Sequence, residues 1–411
     1  MKDYPNKKYS ILESINNKKD IKEDAIINFL QDELHDIIYS YINGGFSNKG
    51  FVFYPLVKDL SDKNKKKIND LKAVAEFLSE RGYDFSSTLG LFKKSRLNGK
   101  NASVFISCLY KDFSSAKKPE TKTKRIKCEK FNFNDYVKQD SGYLEPVLEL
   151  NRFAEDKLRE YLADLHIHGS IATRDYVKGW SDLDTLIIIK KSVLDNPELL
   201  VKLRNLLYTS KKYFYRIDPL QHHGHMVTTE HDLDYYCQTF FPMVLFKYSK
   251  SVFVKKSLNL KIRDSKTESA NRFRSFVDYF RNLYLNKNFS MGSYELKFLF
   301  HAIALFPTLY LQAKGMHVYK KFSFAIARKD FDGNLWNPID AVTNIRKEWK
   351  APSEMPFIKA ISNINPLLAY QINSKYWDAS HKIERLNYVN TKKLVTGMHA
   401  LSESALHKVE G

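Results

Sequence analysis

LHIHGSIATRDYVKGWSDLDTLIIIK, residues 165–190, is the stretch on which the reading of this chain turns. A short apolar strand ends at Gly169-Ser170. An acidic pair, Asp182-Leu183-Asp184, then opens the apolar run Leu186–Ile189. Side chains at i and i+2 of a strand share a face. Asp182 and Asp184 are therefore expected to aim two carboxylates at one point while Leu183 turns into the core. Neighbouring carboxylates repel. A hard divalent cation relieves that repulsion, and Mg²⁺ commonly binds one or two carboxylates together with substrate phosphates. Gly-Ser at the start of a helix offers backbone N–H groups and a hydroxyl, which suit a phosphate. A phosphate cradle beside a metal-binding acid pair equips a protein for phosphoryl or nucleotidyl transfer. The plainer alternative, a surface strand with an acidic edge, leaves unexplained why two charges adjoin a run that must be buried.

The same residues resemble the nucleotidyltransferase superfamily, the group of DNA polymerase β, kanamycin nucleotidyltransferase and the minimal nucleotidyltransferases. Its pattern is an apolar residue, Gly-Ser, a spacer, and then Asp-apolar-Asp on a strand. Here it reads Ile167-His168-Gly169-Ser170 and Ser181-Asp182-Leu183-Asp184, with Gly179-Trp180-Ser181 as a family-like lead-in. The resemblance implies an α+β fold whose small mixed-sheet nucleotidyltransferase core with flanking helices spans 141–263. The chain's own pattern adds an α-helical bundle over 264–411, as many such enzymes have, and an α+β accessory region over 1–140 that carries no motif of the family. The resemblance also implies Mg²⁺, with Mn²⁺ able to replace it, held by Asp182 and Asp184. An NTP, ATP by expectation, is bound through Gly169, Ser170 and Ser181. Lys320 and Lys321 resemble the basic residues with which helical domains of this family hold the triphosphate. The implied reaction transfers an NMP to a hydroxyl on a small molecule, a protein or an RNA end. A nucleotide second-messenger synthase and a non-catalytic nucleotide- or RNA-binding protein are the alternatives.

Composition sets outer limits. The chain has 411 residues, room for two or three domains, and 43% hydrophobic content supports real cores. Its net charge of +19 allows an anionic partner such as RNA, although a Lys-rich bias alone gives the same figure. Cys108, Cys128 and Cys237 are widely spaced and form no CxxC, so neither a disulfide framework nor a cysteine-based zinc site is expected. The first residues lack an apolar segment of signal type, and no run is expected to span a bilayer. A reducing, cytoplasmic setting follows as the expectation.

Apolar periodicity predicts helices over 21–43 and 61–79. Two strands are expected around Asn98-Gly99-Lys100-Asn101 as a hairpin. The stretch 114–127, which carries Lys117, Lys118, Lys122, Lys124, Arg125 and Lys127, is expected to be an exposed loop or linker. Helices over 144–162 and 196–208 should flank the motif, with a strand-like region over 213–227. Beyond 264 the pattern is helical: 269–285, then 294–314 kinked at Pro307, then pieces near 340–349, 366–377 and 390–408.

The resemblance calls for a third carboxylate on a later strand. Asp218 is the only acid in the corresponding segment Ile217–Val227, and it precedes a proline, which places it at a strand entrance. Gln221, His223 and His225 share one face by period two. If that face looks inward, His223 takes the missing acid's position and serves as general base; if not, these are surface or structural histidines. Zinc is disfavoured, because alternation splits His222 from the other two histidines. Glu230, Asp232 and Asp234 read as the first turn of a helix. His166 and His168 read as strand packing, and Arg174 and Asp175 as part of a spacer helix.

Overall fold

In the computed structural model, the run Leu186–Ile189 lies on an interior strand of a five-stranded sheet. The structure describes residues 11–15, 17, 21–43, 62–94, 101–221, 223–253, 257–349, 357–365, 368–369, 372 and 389–410. Strands are β1 (Lys122–Lys127), β2 (Glu129–Lys130), β3 (Leu162–His168), β4 (Asp184–Ile189), β5 (Met226–Thr229), β6 (Lys250–Ser251) and β7 (Ser257–Ile262). The sheet order is β2-β6-β3-β4-β5, and β1 pairs with β7 in a separate antiparallel ribbon. β3 runs antiparallel to β4, and β5 runs parallel to it. Every β3 residue is buried, and so is every β4 residue after Asp184; β4 accordingly reads as an almost continuous apolar run, whereas β3 buries Asp164, His166 and His168 at alternate positions. The fold is mixed α+β with a helical C-terminal region.

β5 lies at the sheet's edge, where unpaired backbone groups invite unwanted pairing. The helix Glu23–Asn43 covers that edge. Asn43 Nδ2 donates to the His225 carbonyl at 2.8 Å, and His35 Nε2 lies 2.9 Å from the Val227 carbonyl. Ile26, Leu30, Leu34, Ile37 and Ile38 of this helix share one apolar core with Leu165, Ile167, Leu183 and Ile187. A second core joins helices Lys266–Leu285, Ser293–Ala313, Gly333–Glu348 and Thr391–Glu410 around Phe273, Phe300, Phe306, Trp336 and Met398. Trp180 and Leu220, from loops of the sheet layer, belong to this second core. The segment ahead of Asp182 is thereby anchored in the C-terminal helices.

Several expectations need correction. Residues 98–100 lie outside the described residues, but their flanks are helices, Ser86–Lys94 and Ala102–Ser115, and not strands. Phe105, Ile106, Leu109 and Tyr110 are fully buried at helical spacing, which outweighs the local turn signal. The stretch 114–127 is not all loop: Lys122–Lys127 is β1, held by pairing with β7 despite its almost wholly polar sequence. The strand expected over 213–227 begins instead as the end of a longer helix, Pro197–Ile217, and a strand appears only at Met226–Thr229. Leu203, Leu207, Ser210, Phe214 and Ile217 continue one buried helical face, and Asp218, ahead of Pro219, ends it in extended backbone. The spacer helix is a single turn, Gly169–Thr173, closed by Arg174 at φ 61°, so Arg174 and Asp175 lie beyond it.

The helix Ser293–Ala313 runs unbroken across Pro307. Contrary to expectation, its stretch Tyr294–Ala313 is long and apolar enough to cross a membrane, but 67% of that window is buried inside the protein. It is the central helix of the C-terminal core. The predicted helix over 366–377 falls mainly on residues outside those described, as does His222.

Candidate metal and nucleotide site

The site forms where β3 and β4 end side by side. His168, the last residue of β3, pairs with Asp184, the first of β4. Gly169 then turns the chain away at φ +68°, a conformation that suits glycine. A second demand also fixes glycine here: a Cβ at this position would fall 2.1 Å from Asp184 Oδ2. Backbone and carboxylate pack together at this turn.

Leu183 is fully buried, while the carboxylates flanking it turn the other way. Gln221 holds this segment by its backbone. The Leu183 N–H donates to Gln221 Oε1 at 3.1 Å, and Gln221 Nε2 donates to the Leu183 carbonyl at 3.4 Å. His223, two residues on, closes the cluster. Its Nε2 lies 2.9 Å from Asp182 Oδ2 and 3.4 Å from Asp184 Oδ1. Ligand atoms of Asp182, Asp184 and His223 all lie within 4.8 Å of one another.

The electrostatics follow from crowding. Burial pushes the Asp184 carboxyl up to about 7; the Asp182 charge adds to the rise, and His223 and Lys320 oppose it. Burial alone would lower His223, but its hydrogen bond to Asp182 and the charges of both acids lift it to about 9. At neutral pH the imidazolium is therefore the cation that joins the two acids. The same three donors could hold a divalent ion. Their separations of 2.9 and 3.4 Å match the roughly 3 Å between adjacent ligands that metal–oxygen lengths of about 2.1 Å require.

Ser170 and Ser181 form the wall toward the C-terminal helices. Ser170 Oγ donates to Ser181 Oγ at 2.9 Å, which accepts from the Val177 N–H at 2.9 Å. Lys321 reaches Asp175 at 3.0 Å and not the acid cluster, whereas the charge of its neighbour Lys320 interacts with both Asp182 and Asp184. Asp218, the only acid in the expected segment, sits apart in a fully buried ion pair with Lys297 at 2.5 Å. His225 is also turned away, bonded to Thr185 Oγ1 at 2.7 Å and Ser210 Oγ at 2.8 Å, so it forms no zinc set with His223. His166 and His168 are buried in β3, the former bonded to Ser249 Oγ at 2.9 Å and the latter edge-on to Phe241. Glu230 and Asp232 open the helix Glu230–Leu233, where Asp232 completes a capping box with Thr229, and Asp234 pairs with Lys191.

Sequence reasoning passed over His301, and placed Gln221 on the His223 face without its role as a backbone clamp. His301, on the helix Ser293–Ala313, brings Nδ1 to 3.5 Å from Asp182 Oδ2. The available signal was a lysine and a histidine, Lys297 and His301, four residues apart in a mostly apolar helix; such a pair faces one side. Comparison of this chain with protein-family models, with curated proteins and with solved structures gives no match.

Proposed function

We propose that this protein is a divalent-cation-dependent nucleotidyltransferase that moves an NMP, AMP by expectation, from an NTP to a hydroxyl and releases pyrophosphate. The observation that carries the reading is the convergence of Asp182, Asp184 and His223 directly against the Gly169 turn. Asp182, Asp184 and His223 hold the ion. Bound there, a divalent cation neutralises charge on the reacting phosphate and eases deprotonation of the acceptor hydroxyl. Gly169 lets the chain pass close to the acids, and Gly169 and Ser170 receive the β and γ phosphates. Ser181 orients Ser170 through their mutual hydrogen bond. Lys320 brings positive charge toward the anionic nucleotide, with Lys321 beside it. His223 is assigned as the third ligand because its Nε2 lies 2.9 and 3.4 Å from the two carboxylates; a cation bound there takes the place of the ring proton, and a nitrogen so engaged does not also act as the base. The basic surface of the chain suits an RNA acceptor, with a small molecule or a protein as the other classes. All three cysteines are free, which suits the reducing cytoplasm where NTPs are abundant.

A second reading has its own support. The His223 imidazolium already bridges the two carboxylates, an arrangement that also suits a nucleotide-binding protein without turnover. Incubation with labelled ATP, GTP, CTP or UTP plus Mg²⁺ or Mn²⁺ separates the two. The transferase releases pyrophosphate, and D184A loses on the order of 10²-fold or more of that rate. A labelled oligonucleotide formed without added acceptor indicates a second-messenger synthase. NTP binding with no pyrophosphate from any base overturns the transferase reading.

A further inference from the structure

We infer that His223 sets the metal preference of this site, turning it from an all-oxygen Mg²⁺ site into one that favours a nitrogen-accepting first-row divalent ion, of which Mn²⁺ is the probe. The inference deepens the proposed function and shares its three-residue site, but its test needs no turnover.

The argument starts from the donor set. Mg²⁺ is small and hard, prefers oxygen and sheds water reluctantly. Imidazole nitrogen is a softer donor that first-row transition ions accept more readily. In this cluster one of three donors is a nitrogen, His223 Nε2, at 2.9 Å from one acid and 3.4 Å from the other. No other carboxylate among the described residues joins the group. Asp218 is withdrawn into its ion pair with Lys297, and Asp232 is used in the cap of its own helix.

Charge points the same way. With the ion in place of the His223 proton, two carboxylates and a neutral imidazole present two negative charges, enough to balance one divalent ion. A third carboxylate would add the charge on which a weakly coordinating, strongly hydrated ion most depends. Mn²⁺ also tolerates six-coordinate oxygen-rich surroundings, so it leaves positions for phosphate oxygens and water.

His223 is held for this role. Gln221 Nε2 donates to the His223 carbonyl at 3.1 Å while gripping Leu183, so the imidazole and both acids are positioned by one buried amide. His301 is the only other described imidazole within ion-pair range of an acid of the cluster, at 3.5 Å from Asp182, and it must be separated from His223 in any test.

The experiment titrates the full-length protein, free of nucleotide, with Mn²⁺ or Mg²⁺ by calorimetry, and records pulsed EPR of the bound Mn²⁺. The wild type is expected to bind Mn²⁺ at least about 10-fold tighter than Mg²⁺, with H223D shifting that ratio toward Mg²⁺ by about 10-fold or more. Nitrogen coupling to Mn²⁺ should be present in the wild type and in H301Q and absent in H223D. An unchanged ratio in H223D, no nitrogen coupling in the wild type, or coupling lost only in H301Q overturns the inference. If H223D does not fold, the wild-type and H301Q spectra still decide. Pyrophosphate release in Mg²⁺ without Mn²⁺ preference sinks this inference and spares the transferase. Nitrogen-coupled Mn²⁺ without turnover of any NTP does the reverse.

Discussion

Gly169 and Asp184 approach so closely that the position cannot hold a side chain: a Cβ on Gly169 would lie 2.1 Å from Asp184 Oδ2 and 3.2 Å from Asp184 Cβ. The backbone at Gly169 also has φ +68°, which costs an L residue about 1–2 kcal/mol on its own. G169A must therefore move either the turn or the acid. Because β4 is buried beyond its first residue, the half-buried Asp184 at its end is the part that yields. We expect G169A to weaken Mn²⁺ binding and pyrophosphate release by about 10²-fold, while urea denaturation shows a loss of only about 1–3 kcal/mol. Full metal affinity in a folded G169A protein would contradict this coupling.

The Lys297–Asp218 pair joins the C-terminal helix Ser293–Ala313 to the segment leading into Gln221 and His223, with both side chains fully buried. Burial pushes the Asp218 carboxyl up, and the Lys297 charge pulls it back. Removing one partner leaves an uncompensated buried charge, which typically costs about 3–5 kcal/mol. K297A should lose about that much in chemical denaturation. The double variant D218N/K297M, which removes both charges and nearly keeps volume, should recover most of it. Two single variants with losses that simply add would show that the pair is not coupled.

How much of this was legible in the sequence depended on whether the deciding physics was local. Asp182, Asp184 and Gly169 were readable because strand periodicity and a turn act within a few residues. The helices at 23–43 and 62–79 were readable because their apolar residues repeat at helical spacing. β1 was hidden because Lys122–Lys127 has almost no apolar residue, and it exists as a strand through its partner β7, more than a hundred residues away. The strand expected over 213–227 failed because Tyr213, Phe214 and Tyr215 suit either structure, and the buried face of a long helix decided the matter. His223 could be named as a candidate but not placed, since its approach to Asp182 depends on Gln221 gripping Leu183. His301 comes from a separate core altogether.

His225 provides a test of buried neutral charge. It is almost wholly buried between Thr185 and Ser210, and burial, with Lys211 and His223 adding to it, lowers its pKa to about 3. In the unfolded chain it titrates near 6.5. Between these values the unfolded state binds the proton and the folded state does not, so the stability this group contributes rises with pH. It is fully present above pH 6.5 and is lost as pH falls toward 3. The wild type's stability relative to H225Q should therefore shrink by about 1.4 kcal/mol per pH unit between pH 6 and pH 4. Urea melts of both proteins at several pH values measure that difference directly; parallel curves would contradict a buried neutral His225.

Trp349 tests whether the C-terminal helices position the acid pair. Its indole Nε1 donates to the Gly179 carbonyl at 2.7 Å, and its ring meets Trp180 edge-on with centroids 5.2 Å apart. Gly179 to Ser181 is the lead-in to Asp182, and the Ser181 hydroxyl in turn accepts from Ser170. W349F keeps most of the aromatic contact and removes the donor, leaving a buried carbonyl without its partner. That loss should cost about 1–2 kcal/mol of stability. If the lead-in is held from this side, Mn²⁺ affinity should also fall several-fold in W349F, while W336F, in the same helical core but without a bond to this loop, should lose stability and keep its metal affinity. Equal metal affinity in W349F and the wild type would mean that Gln221 and β4 alone hold the acids in place.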